Sequence, residues 1–147
     1  MNKEKIIGII IVVIIAVVII FFFLRGVTIK ETIYRAKEDF QQERIPQCMD
    51  YFSPKFFIAH TYSKEQMQRR AAELFNQVDS IDVQIINLEI KQDRETGWAK
   101  VSVKIFAMYG GQKVVILGQL LKPFEGELFF EKEQGAWKIV RATQFPI

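Results

Sequence analysis

The most prominent hydrophobic pattern is an unbroken apolar run near the start of the chain. Ile6 to Leu24 contains no charged, amide or hydroxyl side chain. As a helix rising about 1.5 Å per residue it would extend roughly 28 Å, close to the ~30 Å hydrocarbon core of a bilayer. A buried core helix would carry a polar face. A signal peptide would end in small residues, whereas this run ends in Phe21-Phe22-Phe23-Leu24. We therefore predict that residues 1–28 form an N-terminal tail and an uncleaved single-pass transmembrane anchor.

The charges around this run give only a weak indication of orientation. Lys3 and Lys5 precede it, and more basic residues follow it, which by simple counting would keep the rest of the chain inside. Long domains, however, cross membranes largely regardless of their charge. We expect the chain to lie in the cytoplasmic (inner) membrane of a bacterial envelope, with its larger domain on the extracytoplasmic side.

Helical periodicity dominates from residue 29 to residue 78. Apolar residues at spacings of four, three and four predict an amphipathic helix over 29–45, stopped by Pro46, with Lys37 on another face. Ser53-Pro54 suits the start of one or two further short helices. Ser63 and Gln66 form a capping-box pattern, which predicts a third helix from about Lys64 to Val78.

From Ile81 onward the apolar residues alternate, as in β-strands. Their parity slips between Ile85 and Ile86, which predicts a bulge in the first long strand. The second strand covers 99–107, and Gly110-Gly111 predicts a two-residue hairpin after it. Three later segments are also predicted to be strands: 113–121, 124–131 and 136–145. Helices followed by an antiparallel meander indicate an α+β domain over 29–147, with the helices on one face of the sheet.

The order of these elements resembles the nuclear transport factor 2-like superfamily. The resemblance is carried by Met49-Asp50-Tyr51-Phe52-Ser53-Pro54 between helices and by Gly135-Ala136-Trp137-Lys138-Ile139 at the start of the last strand. It covers essentially all of 29–147. It implies three N-terminal helices packed on a strongly curved antiparallel sheet, forming a cone open at one end. Members include dehydratases, isomerases, ligand binders and assembly proteins, so the resemblance leaves the function open.

The predicted pairing of the last two strands suggests which side chains enter the cone. If Phe130 faces Trp137, then Gly126 faces Arg141, and this apolar face points inward. Arg141 would then anchor an anion inside a pocket, or lie at its rim beside an acid of a helix. A ligand pocket is predicted from these inward positions together with Tyr34 and His60.

The single histidine is the main candidate for catalysis. His60 would need a base within hydrogen-bond reach, and Asp50 is the nearest upstream acid. Asp79 and Asp82 are more typical of a solvated turn than of a catalytic pair, and Cys48 has no convincing base. We therefore expect a non-catalytic protein. A dehydratase or isomerase centred on His60 and Asp50 is the alternative.

The opposite face of the sheet is predicted to carry apolar residues as well. A one-sided sheet should be polar there, so a covering partner is expected unless the alternation fails at Pro123. The predicted interface, for a second copy or for other subunits of a membrane complex, consists of Phe106, Val115, Leu117, Leu121, Phe129 and Val140.

Charge and motif content narrow the choice of function. The net charge of +3 comes mostly from the residues flanking the apolar run, and no basic stripe indicates nucleic-acid binding. No Gly-rich phosphate loop, zinc spacing or calcium loop occurs, so no cofactor or metal is predicted. The sequence favours a membrane-anchored binding or assembly domain, homo-oligomeric or part of an envelope or secretion complex. A tethered binder of a small amphiphile is the second hypothesis.

Overall fold

The computed structural model describes residues 2–58 and 62–143, with the backbone alone for residues 21–25. The first helix, α1, is Lys3–Arg25. Its large apolar side chains between Ile6 and Ile20 are 43–66% exposed, so α1 adds none of them to the buried core that the structure describes. The predicted span continued through Phe21–Leu24, whose side chains lie outside the described residues. Among the residues that are described, no helix is long and apolar enough to cross a membrane, so the predicted anchor is not supported.

Three further helices are α2 (Ile29–Gln41), α3 (Ile45–Asp50) and α4 (Lys64–Gln77). The capping box of Ser63 and Gln66 is present at the start of α4, as predicted. The first of the three ends earlier than expected. The chain leaves α2 through Glu43, which has a left-handed φ of +57°, and Pro46 then lies in the first turn of α3. Pro46 therefore begins a helix instead of ending one, because its missing N–H costs nothing in a first turn.

The prediction of a helix at Ser53-Pro54 is wrong, because this segment is a strand. Phe52–Ile58 forms β1, and Tyr62–Ser63 forms the short β2 beside it. Ser53 is buried, and its hydroxyl donates to the Glu133 carboxylate instead of capping a helix. Tertiary pairing thus overrides a local helix signal.

One curved sheet contains all the strands that the structure describes. Its order is β2-β1-β7-β6-β4-β3, and β5 pairs with the part of β4 that β6 leaves free. The later strands are β3 (Ser80–Gln92), β4 (Thr96–Tyr109), β5 (Gln112–Leu117), β6 (Phe124–Glu133) and β7 (Ala136–Thr143). The sheet is mixed and not purely antiparallel as expected, because β1 pairs parallel to β7. The architecture is a half-barrel with helices on its concave side.

The local signals in the long hairpins are confirmed. A register shift between Ile85 and Asn87 is the predicted bulge in β3. Gly110 and Gly111, with φ of +54° and +81°, join β4 to β5 as the predicted two-residue loop. Both positive φ values fit a primed turn, whose twist matches the flanking strands.

The predicted register of the final hairpin is wrong. Trp137 lies opposite Lys132, not Phe130, and Phe130 lies opposite Ile139. A bulge follows, so that Arg141 pairs with Phe129. One extra residue reverses the faces beyond it, and this places Arg141 on the convex side of the sheet.

The core lies between the concave face and the helices. Ile29, the first residue of α2, is fully buried against Gly97 of β4, where an ideal Cβ would lie only 2.2 Å from Ile29 Cδ1. The side-chain oxygen of Gln41, at the other end of α2, accepts a hydrogen bond of 2.8 Å from the backbone N–H of Val83 on the edge strand β3. These two contacts fix α2 across the sheet.

Candidate functional site

A cavity of about 280 Å³ lies between the concave face of the sheet and helices α2, α3 and α4. Its walls include Ile33 and Phe40 of α2, Met67 of α4, and Val103 and Leu128 of the sheet. Every lining residue except Lys37 and Cys48 is aliphatic, aromatic or methionine. The site is therefore an apolar chamber within the cone that the resemblance implied.

The cavity exists because α4 does not pack closely onto the sheet. No residue of α4 is fully buried, although its apolar face points toward the core. The helix is held at its start by the capping box and by a 2.6 Å hydrogen bond from Arg70 Nε to the Tyr62 hydroxyl. Near its end the Phe75 ring packs edge-on against Phe40, with 5.1 Å between centroids. Between these two sets of contacts, α4 passes over the cavity.

A polar cluster closes the turn between α2 and α3 beside the cavity. The Asp39 carboxylate accepts a 2.6 Å hydrogen bond from the Tyr51 hydroxyl and a 2.8 Å hydrogen bond from Arg44 Nε. The Tyr51 hydrogen bond, together with Arg44, holds the pKa of Asp39 below its usual value although burial opposes this. Burial, and then the hydrogen bond to the Asp39 carboxylate, raise the pKa of Tyr51 to about 12. Within this cluster, Asp39 is therefore ionised and Tyr51 protonated at neutral pH.

The Cys48 thiol at the cavity wall has low reactivity as a nucleophile. Burial, followed by the nearby Asp39 charge, raises its pKa to about 11, and Arg44 only partly opposes this. A thiol with so high a pKa is protonated at neutral pH and is a poor nucleophile. Asp39 does not line the cavity. The described part of the cavity lining therefore contains no carboxylate, imidazole or thiolate for acid-base or nucleophilic catalysis.

The structure does not place Tyr34, Phe130, Trp137 or Arg141 in this cavity. Phe130 and Arg141 instead line another pocket together with Val140. Phe130 and Trp137 are buried in the core but do not line the cavity. Tyr34 is exposed on α2. Arg141 is exposed on the convex face, its guanidinium carbon 3.9 Å from the centroid of the Phe129 ring. His60 lies outside the described residues.

The predicted interface residues also divide between the two faces. Leu117 lines the cavity, because a register shift between Ile105 and Phe106 turns β5 inward at that point. Phe106 is buried, with the Lys113 ammonium 4.5 Å from its ring centroid. Leu121 is 94% exposed in the loop after β5. The other predicted members, Val115, Phe129 and Val140, are half-buried.

Sequence reasoning missed the polar groups of the cavity. Lys37 was assigned to an outer face of its helix, although it follows Ile33 by four residues and therefore lies on the same face. Cys48 was considered only as a nucleophile without a base, not as part of a cavity wall. Within the described residues no group of three metal-binding side chains occurs.

Comparison with solved structures shows the same fold in several bacterial proteins. Bd1075 of Bdellovibrio bacteriovorus has a TM-score of 0.63 at 11% identity over 78% of this chain, which spans 39% of the Bd1075 chain. A candidate scytalone dehydratase from Novosphingobium aromaticivorans has a TM-score of 0.63 at 12% identity, covering 78% of both chains. A candidate dehydratase of the NTF2-like family from Streptomyces avermitilis has a TM-score of 0.62 at 11% identity, covering 76% of this chain and 88% of its own.

The sequence itself points to one family. No functionally curated protein matches it. The SnoaL-like domain, in contrast, matches residues 29–144, which include every strand of the curved sheet and the three helices that enclose the cavity. The chain therefore belongs to the SnoaL-like domain family, and its cone has the NTF2-like fold.

Proposed function

We propose that this protein binds the apolar part of a small molecule in its cone cavity and does not transform it. The observation that carries the proposal is the cavity lining, which is apolar except for one lysine and one protonated thiol. Ligand pockets are mostly apolar, with a few polar groups that fix orientation.

The size of the cavity sets the size of the ligand. An apolar cavity of about 150 Å³ stays dry and holds one benzene molecule, so about 280 Å³ holds about eleven carbon atoms at the same density. Burying that many methylenes at about 0.8 kcal/mol each contributes roughly 9 kcal/mol. Association costs of at least ~4 kcal/mol leave a net gain near 5 kcal/mol, or a dissociation constant of about 0.1–1 mM for an uncharged ligand.

Dehydration or isomerisation is the rival function, because two structural neighbours are named as candidate dehydratases. Such chemistry needs an acid or base within hydrogen-bond reach of the substrate. The described lining offers no carboxylate, imidazole or thiolate at neutral pH, and its one charged side chain is Lys37. If His60→Ala abolished a measurable turnover, the rival would replace the binding proposal.

Cys48 supplies a direct test, since it is the only cysteine and it lines the cavity. Because the buried Cys48 thiol is protonated, its labelling is slow, so full-length protein in polymer nanodiscs would be treated for hours with excess N-ethylmaleimide, with and without 1-decanol, and labelling followed by mass. We expect decanol to slow labelling in a saturable way. Ala71→Leu, which fills the cavity, should weaken this protection, while Ala72→Leu on the same helix, outside the lining, should not. Labelling that decanol leaves unchanged would contradict the binding proposal.

We also propose that α1 attaches the protein to lipid, with the domain on the extracytoplasmic side. Its exposed apolar side chains have no polar side chain among them from Ile6 to Ile20, so a partner covering one side would leave the others in water. Lys3 and Lys5 at one end suit a headgroup region. Lipid would cover every side at once.

Alkaline carbonate extraction of membranes would test the attachment. Replacing Ile14 and Val17 by lysine puts two charges near the middle of the apolar run, each costing about 2.5–3.5 kcal/mol in lipid. We expect this variant to be extracted, and a matched variant with Glu73→Lys and Asn76→Lys on α4 to stay with the membrane. Equal extraction of both would contradict attachment. Protease treatment of intact cells tests the proposed side.

Assembly with a second copy or with other subunits stays a prediction. The apolar residues of the convex face are partly covered by basic side chains, such as Lys113 on Phe106 and Arg141 on Phe129. Cross-linking in membranes that yields only monomers would exclude stable self-association.

A further inference from the structure

We infer that the cavity ligand is an anionic, single-chain amphiphile of about ten carbons, whose carboxylate head is bound by Lys37. This inference rests on the proposed binding function and adds the chemical class of the ligand. Its basis is the position of Lys37, the state of the acids around it, and the size and charge of the chamber.

Lys37 is the one charged residue in the cavity lining that the structure describes. It lies on α2, four residues after Ile33 and three before Phe40, both of which also form the wall. The side chain is half-buried. A lysine in this position covers apolar surface with its methylenes and keeps its ammonium at the polar edge.

The ammonium of Lys37 has no protein counter-ion among the described residues. The ion pairs found there join other residues, and none includes Lys37. The nearest acids along α2 are engaged elsewhere: Asp39 with Arg44 and Tyr51, and Glu38 with the side-chain amide of Gln42. Lys37 lines the cavity with its methylenes, so its ammonium lies within one side-chain length of a head group whose tail fills the cavity.

The lining residues that the structure describes carry no compensating negative charge. The other polar lining residue is Cys48, whose thiol is protonated at neutral pH. An anion entering with its tail in the chamber would meet one positive charge and no negative one. A charge-assisted hydrogen bond between ammonium and carboxylate is about twice as strong as a neutral one. An uncharged or cationic head would leave Lys37 without a partner.

The volume favours one short chain over a membrane phospholipid. Room for about eleven carbons accepts a decanoate tail, but the two long chains of a phospholipid exceed it several-fold. Affinity should rise about fourfold for each methylene added up to the filled length, and should then stop rising.

The test compares head groups on alkyl tails of nearly equal length, one carbon shorter in decanoate than in the other two compounds. Protection of Cys48 from N-ethylmaleimide would be titrated with decanoate, 1-decanol and decyltrimethylammonium, on the full-length protein in nanodiscs at neutral pH. Concentrations would be those free in the aqueous phase. We expect decanoate to protect at a concentration at least tenfold lower than decanol, with the cationic analogue weaker than both.

Two lysine variants of one helix make the comparison specific. Lys37→Met keeps the apolar stem and helix propensity while removing the charge, and should reduce the decanoate preference to near unity. Lys30→Met, exposed on α2 outside the cavity, should leave the preference unchanged. A preference that survives Lys37→Met, or equal protection by decanoate and decanol, would overturn the inference while the binding function stands. Absence of protection by all three compounds would instead reject the binding function.

Discussion

Filling the cavity from α4 should make the protein more stable and a worse binder at the same time. Ala71 lies on the cavity side of α4, and its replacement by leucine adds three carbon atoms. Most substitutions that enlarge a well-packed core cost about 1–3 kcal/mol, because neighbours must move. Here the added carbons would enter space that is already empty. Ala71→Leu should therefore raise the unfolding free energy if the cavity is open, and lower it if the region is already packed.

The expected magnitude follows from the size of the added group. Three buried methylene-sized groups contribute about 2.4 kcal/mol. Ordering the leucine side chain costs about 0.5–1 kcal/mol, and the difference in helix propensity is small. The net change in unfolding free energy for Ala71→Leu is a gain of about 1.5 kcal/mol. The three carbons take about 75 Å³ at the density of the benzene cavity, which leaves too little room for a decyl chain.

Urea-dependent pulse proteolysis measures the change in unfolding free energy while the full-length protein stays in lipid. Ala72→Leu is the matched control, because Ala72 is half-buried on the same helix but does not line the cavity. We expect its stability to change by less than about 0.5 kcal/mol. Decanol protection of Cys48 should weaken at least tenfold in Ala71→Leu alone. A loss of stability in Ala71→Leu would mean that the chamber is closed in solution, and would refute the reasoning behind the binding proposal.

Three further substitutions test how the cone is built. Gly97→Ala should lower the unfolding free energy by about 1–3 kcal/mol in urea titrations, because its Cβ would displace the buried Ile29 side chain. Phe130→Ala should cost about 3–5 kcal/mol, since its ring is 1% exposed at the core centre. The pKa of Asp39 is lowered by its hydrogen bond from Tyr51, so its contribution is complete above its usual pKa and is lost as pH falls through the lower native pKa. Asp39→Asn should therefore destabilise the protein at pH 7 and shrink the loss of stability between pH 5 and pH 2; an unaltered acid profile would contradict this role.

Sequence patterns correctly predicted the elements that depend only on residues close together in the chain. The capping box placed the start of α4 because Ser63 and Gln66 satisfy each other's backbone within one turn. The parity slip at Ile85 marked a bulge because alternation in a half-buried strand reports directly on which side faces the core. Two adjacent glycines at 110–111 marked the tight hairpin because both residues need positive φ.

Features that depend on distant partners were not predictable from one sequence. Ser53-Pro54 has the form of a helix start, but the buried Ser53 hydroxyl is bound by Glu133, far along the chain. The hairpin register failed because the turn falls at Gln134 and Gly135, both with positive φ, one residue later than a Phe130–Trp137 pairing requires. The bulge at Phe129 then reverses the faces beyond it. Arg141 was consequently assigned to the interior although it lies outside.

Two alanines at core-facing helix positions indicate the cavity, but only once the fold is known. Ala36 of α2 and Ala71 of α4 both occupy positions where the helical spacing predicts core-facing residues, and both line the chamber. Small side chains at such positions leave contacts unmade that larger ones would provide, at a cost in stability that grows with the void. Leucine is compatible with both helices, so helix formation does not explain alanine there. Space kept beside Lys37, which forms no ion pair with any described residue, is instead what a site for an anionic, single-chain ligand requires. The opposite responses of stability and binding to Ala71→Leu distinguish such a site from an accidental packing defect.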